Sequence, residues 1–529
     1  MDVKRDSSGV VDAISAEDIG KFPDTNLAES LQRITGVSID RQNGEGSQVT
    51  VRGFGPDYNM VTLNGRSMPT AAASPTGIST SRAFDFAQVA SEVVSGVEVY
   101  KTGKASVASG GIGATINVKT ARPLDNPGLN ISVGAKAVTD TSNRNGSDVT
   151  PEVSGLFSWT DDSEMFGVGL SVSHQQRDSG ASGSYVTQWN TQAWTDNTFS
   201  AADITNEPDV GQLYSQPTDI RYTIADRERT RDNAQLVLQF RPMDSLTGTL
   251  DYTYAQNDLE ETRSEQSIWF LNGFDALTYD DSPVASPIVL SQDVLPINGG
   301  NSKDLGLAQQ ARGTSSTLES TGLNLSWDVT DNFSLTLDAH DSSAETTPDT
   351  SFGGSWVNFG MGANIVAHQI GYFNDGLPRF VIDEFSDCVG IGDDEPRNDM
   401  NCNGEFDPGD VGSQVNQTTY SAQYNDVTQV RLVGDLAFDN GGFRFGIESR
   451  ETENRTEYSQ TTDIMGNWAL ARPGDVSDLL SLEDFPSEFD EYDASPAGNQ
   501  SFGDVYIGSA VDLAERVSGY ETQDDTYYI

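Results

Sequence analysis

Asp399, Asn401, Asn403, Glu405, Asp407 and Asp410 place oxygen-bearing groups at positions 1, 3, 5, 7, 9 and 12 of one stretch, with Gly404 at position 6. Ca2+ takes about six to eight oxygens, and this spacing wraps them around a point; Glu405 would offer its backbone carbonyl. Position 12 is Asp instead of the longer Glu, which shortens the reach for bidentate closure. Residues 383–410 hold ten acidic side chains and one basic one, a repulsion that a bound cation relieves. The expectation is structural Ca2+; the plain alternative is a solvated acidic loop. Cys388 and Cys402 are the only cysteines and lie in this same segment. A disulfide between them would suit an oxidising compartment and contribute about 3 kcal/mol. Two free thiols are the alternative.

A second set of candidate binding groups is aromatic. Trp189, Trp194, Trp269, Phe270, Trp356, Phe359 and Trp468 fall in long polar connections. Ring faces there can stack on the C–H faces of sugars, while Asp, Asn and Gln bond the hydroxyls; local loop packing is the bland reading. His174, His340 and His368 are the only histidines, and none has metal-ligand spacing with another histidine or a cysteine. No nucleophile–base pair or paired acid can be located, so an enzyme is not expected, nor an organic cofactor.

These groups need a scaffold, and charge narrows it. The net charge is −49, of which residues 1–124 contribute only −1 (13 acidic, 12 basic), leaving −48 for residues 125–529. Phosphate contact needs Lys and Arg, so nucleic acid is excluded as a partner. Mean hydropathy is −0.44, and no run of eighteen apolar residues exists that could make a membrane helix. A barrel strand escapes that test, because it alternates lipid-facing and lumen-facing residues.

From residue 129 the pattern has period two. Phe166, Val168, Leu170 and Val172 alternate with Gly167, Gly169, Ser171 and Ser173, and Leu236, Leu238 and Phe240 with Gln235, Val237 and Gln239. Leu250, Tyr252 and Tyr254, then Leu323, Leu325 and Trp327, Phe333, Leu335 and Leu337, Leu432 and Leu436, and Phe443, Phe445 and Ile447 repeat it. Tight turns at 161–164, 242–245, 328–332 and 439–442 alternate with long connections near 178–218, 261–312, 347–415 and 460–517. Short turns inside and long loops outside are the signature of outer-membrane barrels. Trp159 and Trp327, beside short turns, suit an interfacial girdle.

The first 123 residues read differently. Asn26 to Glu29 opens a helix with Leu27, Leu31 and Ile34 on one face and Gly36 as its stop. An earlier helix is expected from the capping pair Ser15 and Asp18. Strands are expected at 37–40, 49–53, 59–63, 96–100 and 115–119, with Asn64 and Gly65 as a tight turn and a short helix from Asp85 to Gln88. Gly110, Gly111 and Gly113 precede a strand; a phosphate loop follows one, so a nucleotide is excluded.

Asp24 to Leu31, Gly36 to Ile39, Val51, Arg52, Gly53 and Phe54, Leu63, Asn64, Gly65 and Arg66, Val97 to Val99, and Gly110 through Asn117 and Val118 resemble the plug of TonB-dependent outer-membrane receptors in order and spacing. Residues 10–26 resemble the branch described from Xanthomonas- and Caulobacter-type bacteria, whose members often import oligosaccharides. The resemblance implies a mostly β chain: an αβ plug over 1–123, then over 124–529 an antiparallel transmembrane barrel, incomplete at about ten of twenty-two strands. It implies the outer membrane of a Gram-negative bacterium, contact with its lipid, and energy from a TonB–ExbB–ExbD complex. It places Arg52 and Arg66 in the plug without fixing their roles. Residues 1–9 show neither a signal peptide nor a TonB box, and the end at Ile529 falls inside an expected strand, so a fragment is expected. The expected solute is an oligosaccharide, with a ferric siderophore second because acidic loops repel anions. A secreted calcium-dependent glycan-binding adhesin is the alternative without transport; it would clasp its oily strand faces together.

Overall fold

The structure, a computed structural model, describes residues 9–15, 26–42, 44–72, 79, 81–91, 94–299, 302–373, 376–385, 406–464, 474, 476–483 and 505–518. Cys388, Cys402, Trp468, Asp399, Asn401, Asn403 and Glu405 lie outside them, as does the helix expected after Ser15.

The N-terminal unit is built on β1 (Val11–Ser15), β2 (Val37–Gln42), β3 (Glu45–Val51), β4 (Asn59–Leu63), β5 (Arg66–Ser67), β6 (Val94–Tyr100) and β7 (Ala114–Thr120). Five of these form one sheet in the order β1-β6-β7-β4-β5, and β2 pairs with β3. Helix α1 (Leu27–Leu31) starts at Asn26, whose side chain accepts from the amides of Ala28 and Glu29. That satisfies two of the donors a helix start leaves orphaned. Leu27, Leu31, Val51, Val99 and Ile116 form its core. The Asn64–Gly65 turn is as the dipeptide requires, both residues taking positive φ.

Nine long strands follow: β8 (Asn130–Val138), β9 (Thr150–Thr160), β10 (Phe166–Tyr185), β11 (Asp219–Met243), β12 (Leu246–Trp269), β13 (Lys303–Thr330), β14 (Phe333–Pro348), β15 (Val411–Phe438) and β16 (Gly441–Ile464). Each pairs antiparallel with its sequence neighbours. The sheet is open between β8 and β16. Among the described residues, nine strands run from turn to turn where about ten are expected. The four short turns fall where the turn residues place them. The long connections are shorter than the polarity suggests, because the strands continue well past the ~9–11 residues a bilayer needs.

Polar residues that read as loop are therefore wall standing above the membrane. Trp356–Tyr372 resumes the track of β14 after a break at 349–355, pairing with the upper parts of β13 and β15. The excursions pack over a large apolar core of their own, containing Trp194, Tyr222, Phe359, Phe380 and Leu513. Helix α2 (Ala510–Ser518) contributes Leu513 to it.

Along the lower half, Phe166, Leu170 and Val172, Leu236, Leu238 and Phe240, and Leu323, Leu325 and Trp327 all lie exposed on the outer face. Residues of the opposite parity on the same strands, Ser171, Gln235, Gln239 and Ser320, are buried on the inner face, against the plug side. Trp159 and Trp327 are exposed on the outer face beside the short turns. The oily faces are not clasped against each other, which removes the geometry the adhesin alternative needs.

Leu238→Arg puts a charge into this apolar band and is expected to destabilise the membrane-inserted protein by roughly 2–4 kcal/mol. Thr317→Arg, on β13 above the band, should cost only about 0–1 kcal/mol. Urea unfolding in lipid vesicles reads both; equal costs would contradict the assigned membrane level.

Candidate plug–wall coupling site and solute path

The plug meets the wall through two buried charge clusters. Arg66 follows the Asn64–Gly65 turn directly, and the turn is held because Asn117 accepts from the amide of Gly65 at 2.8 Å. From there Arg66 reaches across the wall. Its Nη1 donates to both oxygens of Asp251 at 2.7 and 2.8 Å. Its Nε and Nη2 donate to Asp338 at 2.9 and 3.2 Å. Asp251 is on β12 and Asp338 on β14, so the guanidinium bridges over β13 between them. Gly322 of β13 makes that possible: it pairs with Asp251 on one side, and a Cβ there would sit 1.7 Å from Nη1. Burial works against the charge of Arg66, but the hydrogen bond to Asp338 and the charges of Asp251 and Asp338 raise its pKa. Ser67 donates its amide to Gln429, and Arg431 donates to the carbonyl of Gly65 at 3.3 Å.

The second cluster reverses the polarity. Glu45 of β3 is buried and faces three arginines of the wall. Arg229 holds both its oxygens, Nη2 at 2.7 Å; Arg177 donates at 2.8 Å and Arg231 at 3.2 Å. Asn26, the cap of α1, donates to the same carboxylate at 3.4 Å and to the carbonyl of Gly46 at 2.7 Å. Arg177 also holds Asp140 in the β8–β9 connection, at 2.8 Å. Burial alone would raise the Glu45 carboxyl; the charge and hydrogen bond of Arg229, with Arg231 and Arg177, hold it at about 2.

Between these groups lies a cavity of about 400 Å³. The plug supplies Gln42, Glu45, Ser47 and Asp85, and the wall supplies Arg229, Asn257 and Arg312 among others. Asp85 accepts from Ser47 at 2.8 Å and from the amide of Ala87 at 2.9 Å, while burial pushes its pKa up. Further along the wall, Arg227 and Arg312 both hold Glu261.

The residues singled out by sequence fall into separate places. Arg52 stays within the plug, at φ +54°, donating to the carbonyl of Gly113 at 2.7 Å; it staples the loop of Gly110, Gly111 and Gly113 to Gly53. Gly113 admits no side chain, since a Cβ would lie 2.5 Å from Oδ1 of Asn59. Trp194, Phe270 and Phe359 are buried in the outer core, with Trp194 edge-on to Tyr214 and Tyr279. Trp356 is half-buried. Trp189 and Trp269 remain about 40% exposed, Trp189 against Phe373 and Trp269 under the guanidinium of Arg221 at 4.5 Å. Of the calcium-loop residues, Asp407 accepts from the amide of Gly409, and Asp410 is buried and accepts from that of Asp407. Both serve as caps of the turn Pro408–Asp410.

His340 is buried against Ser342 and Gln429, and His174 pairs with Asp232 at 2.8 Å. His368 touches Ser291 at 3.0 Å and pairs with Asp383 and Asp275. Burial disfavours the His368 cation, but the bond to Asp383 and the two carboxylate charges raise its pKa.

Sequence reasoning missed Glu45, Asp251, Asp338 and the arginines of β11. The available signal was the spacing of Arg227, Arg229 and Arg231, which puts three cations on one strand face.

Residues 3–115 match the family described as the TonB-dependent Receptor Plug Domain. The chain carries a TonB-dependent receptor plug. Proteins with this plug reside in the outer membrane of Gram-negative bacteria, and the apolar band around the wall puts this chain there too. A curated relative, the ferric enterobactin receptor PirA of Pseudomonas aeruginosa, is 31% identical over 124 residues, 22% of this chain and 17% of that receptor. The match thus spans less than a fifth of the relative's length. Among solved structures, the Serratia marcescens hemophore receptor HasR aligns over 88% of this chain and 62% of its own, at 11% identity and TM-score 0.31. The ferric preacinetobactin receptor BauA of Acinetobacter baumannii aligns over 87% and 62%, at 11% identity and TM-score 0.32. Likeness at that level fixes neither solute nor mechanism.

The Glu45 cluster gives plug attachment an acid limit. A carboxyl held at about 2, against an ordinary 4.5, contributes stability that is present above pH 4.5 and is lost as pH falls through 2. The contribution is roughly 3 kcal/mol. Urea midpoints of the plug-bearing protein should fall across that window, and Glu45→Gln should flatten the fall; an unchanged profile would contradict the pairing.

Proposed function

We propose that this chain belongs to an energised outer-membrane importer that takes up a ferric siderophore. The observation that carries the transport reading is the plug pinned inside an amphipathic wall by Arg66, Asp251 and Asp338. A plug held by a few buried ion pairs blocks the lumen yet can be released, because removing one partner of such a pair costs about 3–5 kcal/mol. TonB, with ExbB and ExbD, is the proposed source of that work. The chemistry is passage, not catalysis.

The siderophore rests on two supports. A curated relative is a ferric enterobactin receptor. Within the lumen, Arg177, Arg227, Arg229, Arg231 and Arg312 gather beside the plug. The acidic loops argued against an anionic siderophore, yet the lumen beneath them is locally basic, and a counter-charged floor attracts an anionic chelate. The oligosaccharide gains no support from the relatives. What favours it as a second reading is the pair of half-exposed rings Trp189 and Trp269. Structural Ca2+ and the Cys388–Cys402 disulfide remain proposals for the outer loops.

Binding of ferric siderophores and oligosaccharides to the full-length receptor, with and without Ca2+, tests the reading through tryptophan fluorescence. Saturable binding of a ferric siderophore and of no glycan is expected. Glycan binding without siderophore binding would reverse the assignment.

A further inference from the structure

We infer that His368 is a pH-operated latch of the outer part: its imidazolium fastens four segments of the excursions to one another, and loss of one ring proton lets them part as the surroundings turn alkaline. The latch works whatever solute is carried.

Strand Trp356–Tyr372 carries His368 and lies between strands Pro287–Asp293 and Arg379–Phe385. Strand Ala276–Tyr279 pairs with Pro287–Asp293 on its other side. The ring meets a side chain from each direction. Its Nδ1 bonds Oδ1 of Asp383. Its Nε2 lies 3.0 Å from Oγ of Ser291 and 3.7 Å from Oδ2 of Asp275. Ser291 donates to that same Oδ2 at 2.9 Å, and Oδ1 of Asp275 accepts from the amide of Asp293 at 2.8 Å. Asp275 directly follows Phe274 of the outer core, and its carbonyl accepts from the amide of Asp203 at 2.8 Å.

Counting protons fixes the charge of the ring. An ionised carboxylate only accepts, so Nδ1 must donate to Asp383. A hydroxyl has one proton and Ser291 gives it to Asp275, so Nε2 must donate to Oγ. Both nitrogens therefore carry protons, and the network belongs to the imidazolium alone. Burial disfavours that cation, but Asp383 and Asp275 outweigh it and raise its pKa from the ordinary 6.5. Once a ring proton leaves, the network cannot close. Without the proton on Nε2, the ring competes with Asp275 for one hydroxyl proton. Without the proton on Nδ1, two acceptors face each other at Asp383. Either way one segment loses its hold. The latch is thus intact below pH 6.5 and is lost as pH rises through the raised value.

The surrounding charges do not reverse that sign. Asp293 and Glu384 stand opposite His368 in the register of the two neighbouring strands and add negative charge. Arg379 lies over the ring of Tyr372 at 5.0 Å. Lys303 and Asp304 of β13 stand opposite Val366 and Asn364, and α2 brings Asp512, Glu515 and Arg516 to the same strand. The ion-pair partners of His368 among the described residues are Asp275 and Asp383. Burial pushes Lys303 down to about 7, into the same range, but its effect has the opposite sense. Losing a buried charge tightens the fold as pH rises.

Amide hydrogen exchange of the full-length receptor in detergent, corrected for the base dependence of exchange itself, compares about pH 6 with about pH 9. Ala276–Tyr279 and Arg379–Phe385 are expected to lose protection by about fivefold or more at the higher pH, with β12 unchanged. The ring protons of His368 should titrate in NMR with the same midpoint, above 6.5. His368→Gln should abolish the pH dependence, and Lys303→Met should keep it. Asp275→Asn removes one of the two paired charges, so its midpoint should fall by about one pH unit. Equal protection of the parent at both pH values would overturn the latch. So would a transition that survives in His368→Gln or disappears in Lys303→Met. Should His368→Gln fail to fold, the midpoint of Asp275→Asn decides, and an unmoved midpoint rejects the proposal.

Discussion

One buried guanidinium sets the geometry of the whole assembly. Arg66 can leave water only because Asp251 and Asp338 stand on either side of it and Gly322 leaves room beneath. Two carboxylates on strands separated by a third can be bridged by an arginine lying flat, and by nothing shorter. The plug's tight turn, the polar inner faces of β12 and β14, and the missing side chain on β13 are parts of one requirement. Outside that site and the Glu45 cluster, the plug meets the wall through single polar contacts, such as Ala72 to Gln423 and Ala90 to Asn233. Apolar support from the wall comes from Ala255 and Leu318 in the plug's core. An interface of that kind has specificity without much hydrophobic adhesion, as a plug that must be displaced needs.

The upper wall obeys a different rule. Above the bilayer the strands are wet on the outside, so apolar residues gather inward and the excursions pack over a core containing Trp194, Tyr214, Tyr279 and Phe359. Of the aromatic residues placed in long connections, Trp194, Phe270 and Phe359 therefore hold the outer part together. Carboxylates on the inner face, such as Asp251, Asp338 and Glu261, pair with arginines there. Net charge described the exterior and concealed the basic floor.

Much of the architecture was legible because it follows from local rules. Period-two alternation, tight turns at Asp161 and Asp439, the Asn26 cap and the Asn64–Gly65 turn all depend on near neighbours. The extent of the strands was not legible: residues 178–185 and 261–269 are polar and read as loop, but a strand above the membrane has no outward apolar face to show. The clusters around Arg66 and Glu45 were invisible for another reason. Their members lie up to 272 residues apart, and no local pattern marks Asp338 as the partner of Arg66. The run Arg227, Arg229, Arg231 was the one visible hint, since three like charges on one strand face demand a buried counter-charge. Glu45 carried no such mark.

The account stands on the plug being anchored by Arg66 lying flat across Gly322. Amide hydrogen exchange on the full-length protein carrying Gly322→Ala tests it most directly. A Cβ at that position must push the guanidinium off its two carboxylates. Exchange in β4 and β5, at Val61, Leu63 and Arg66, is then expected to speed by at least tenfold, about 1.4 kcal/mol of local stability, with β12 and β14 unchanged. Unaltered protection of β4 and β5 in a folded Gly322→Ala protein would show that the plug is held by something else.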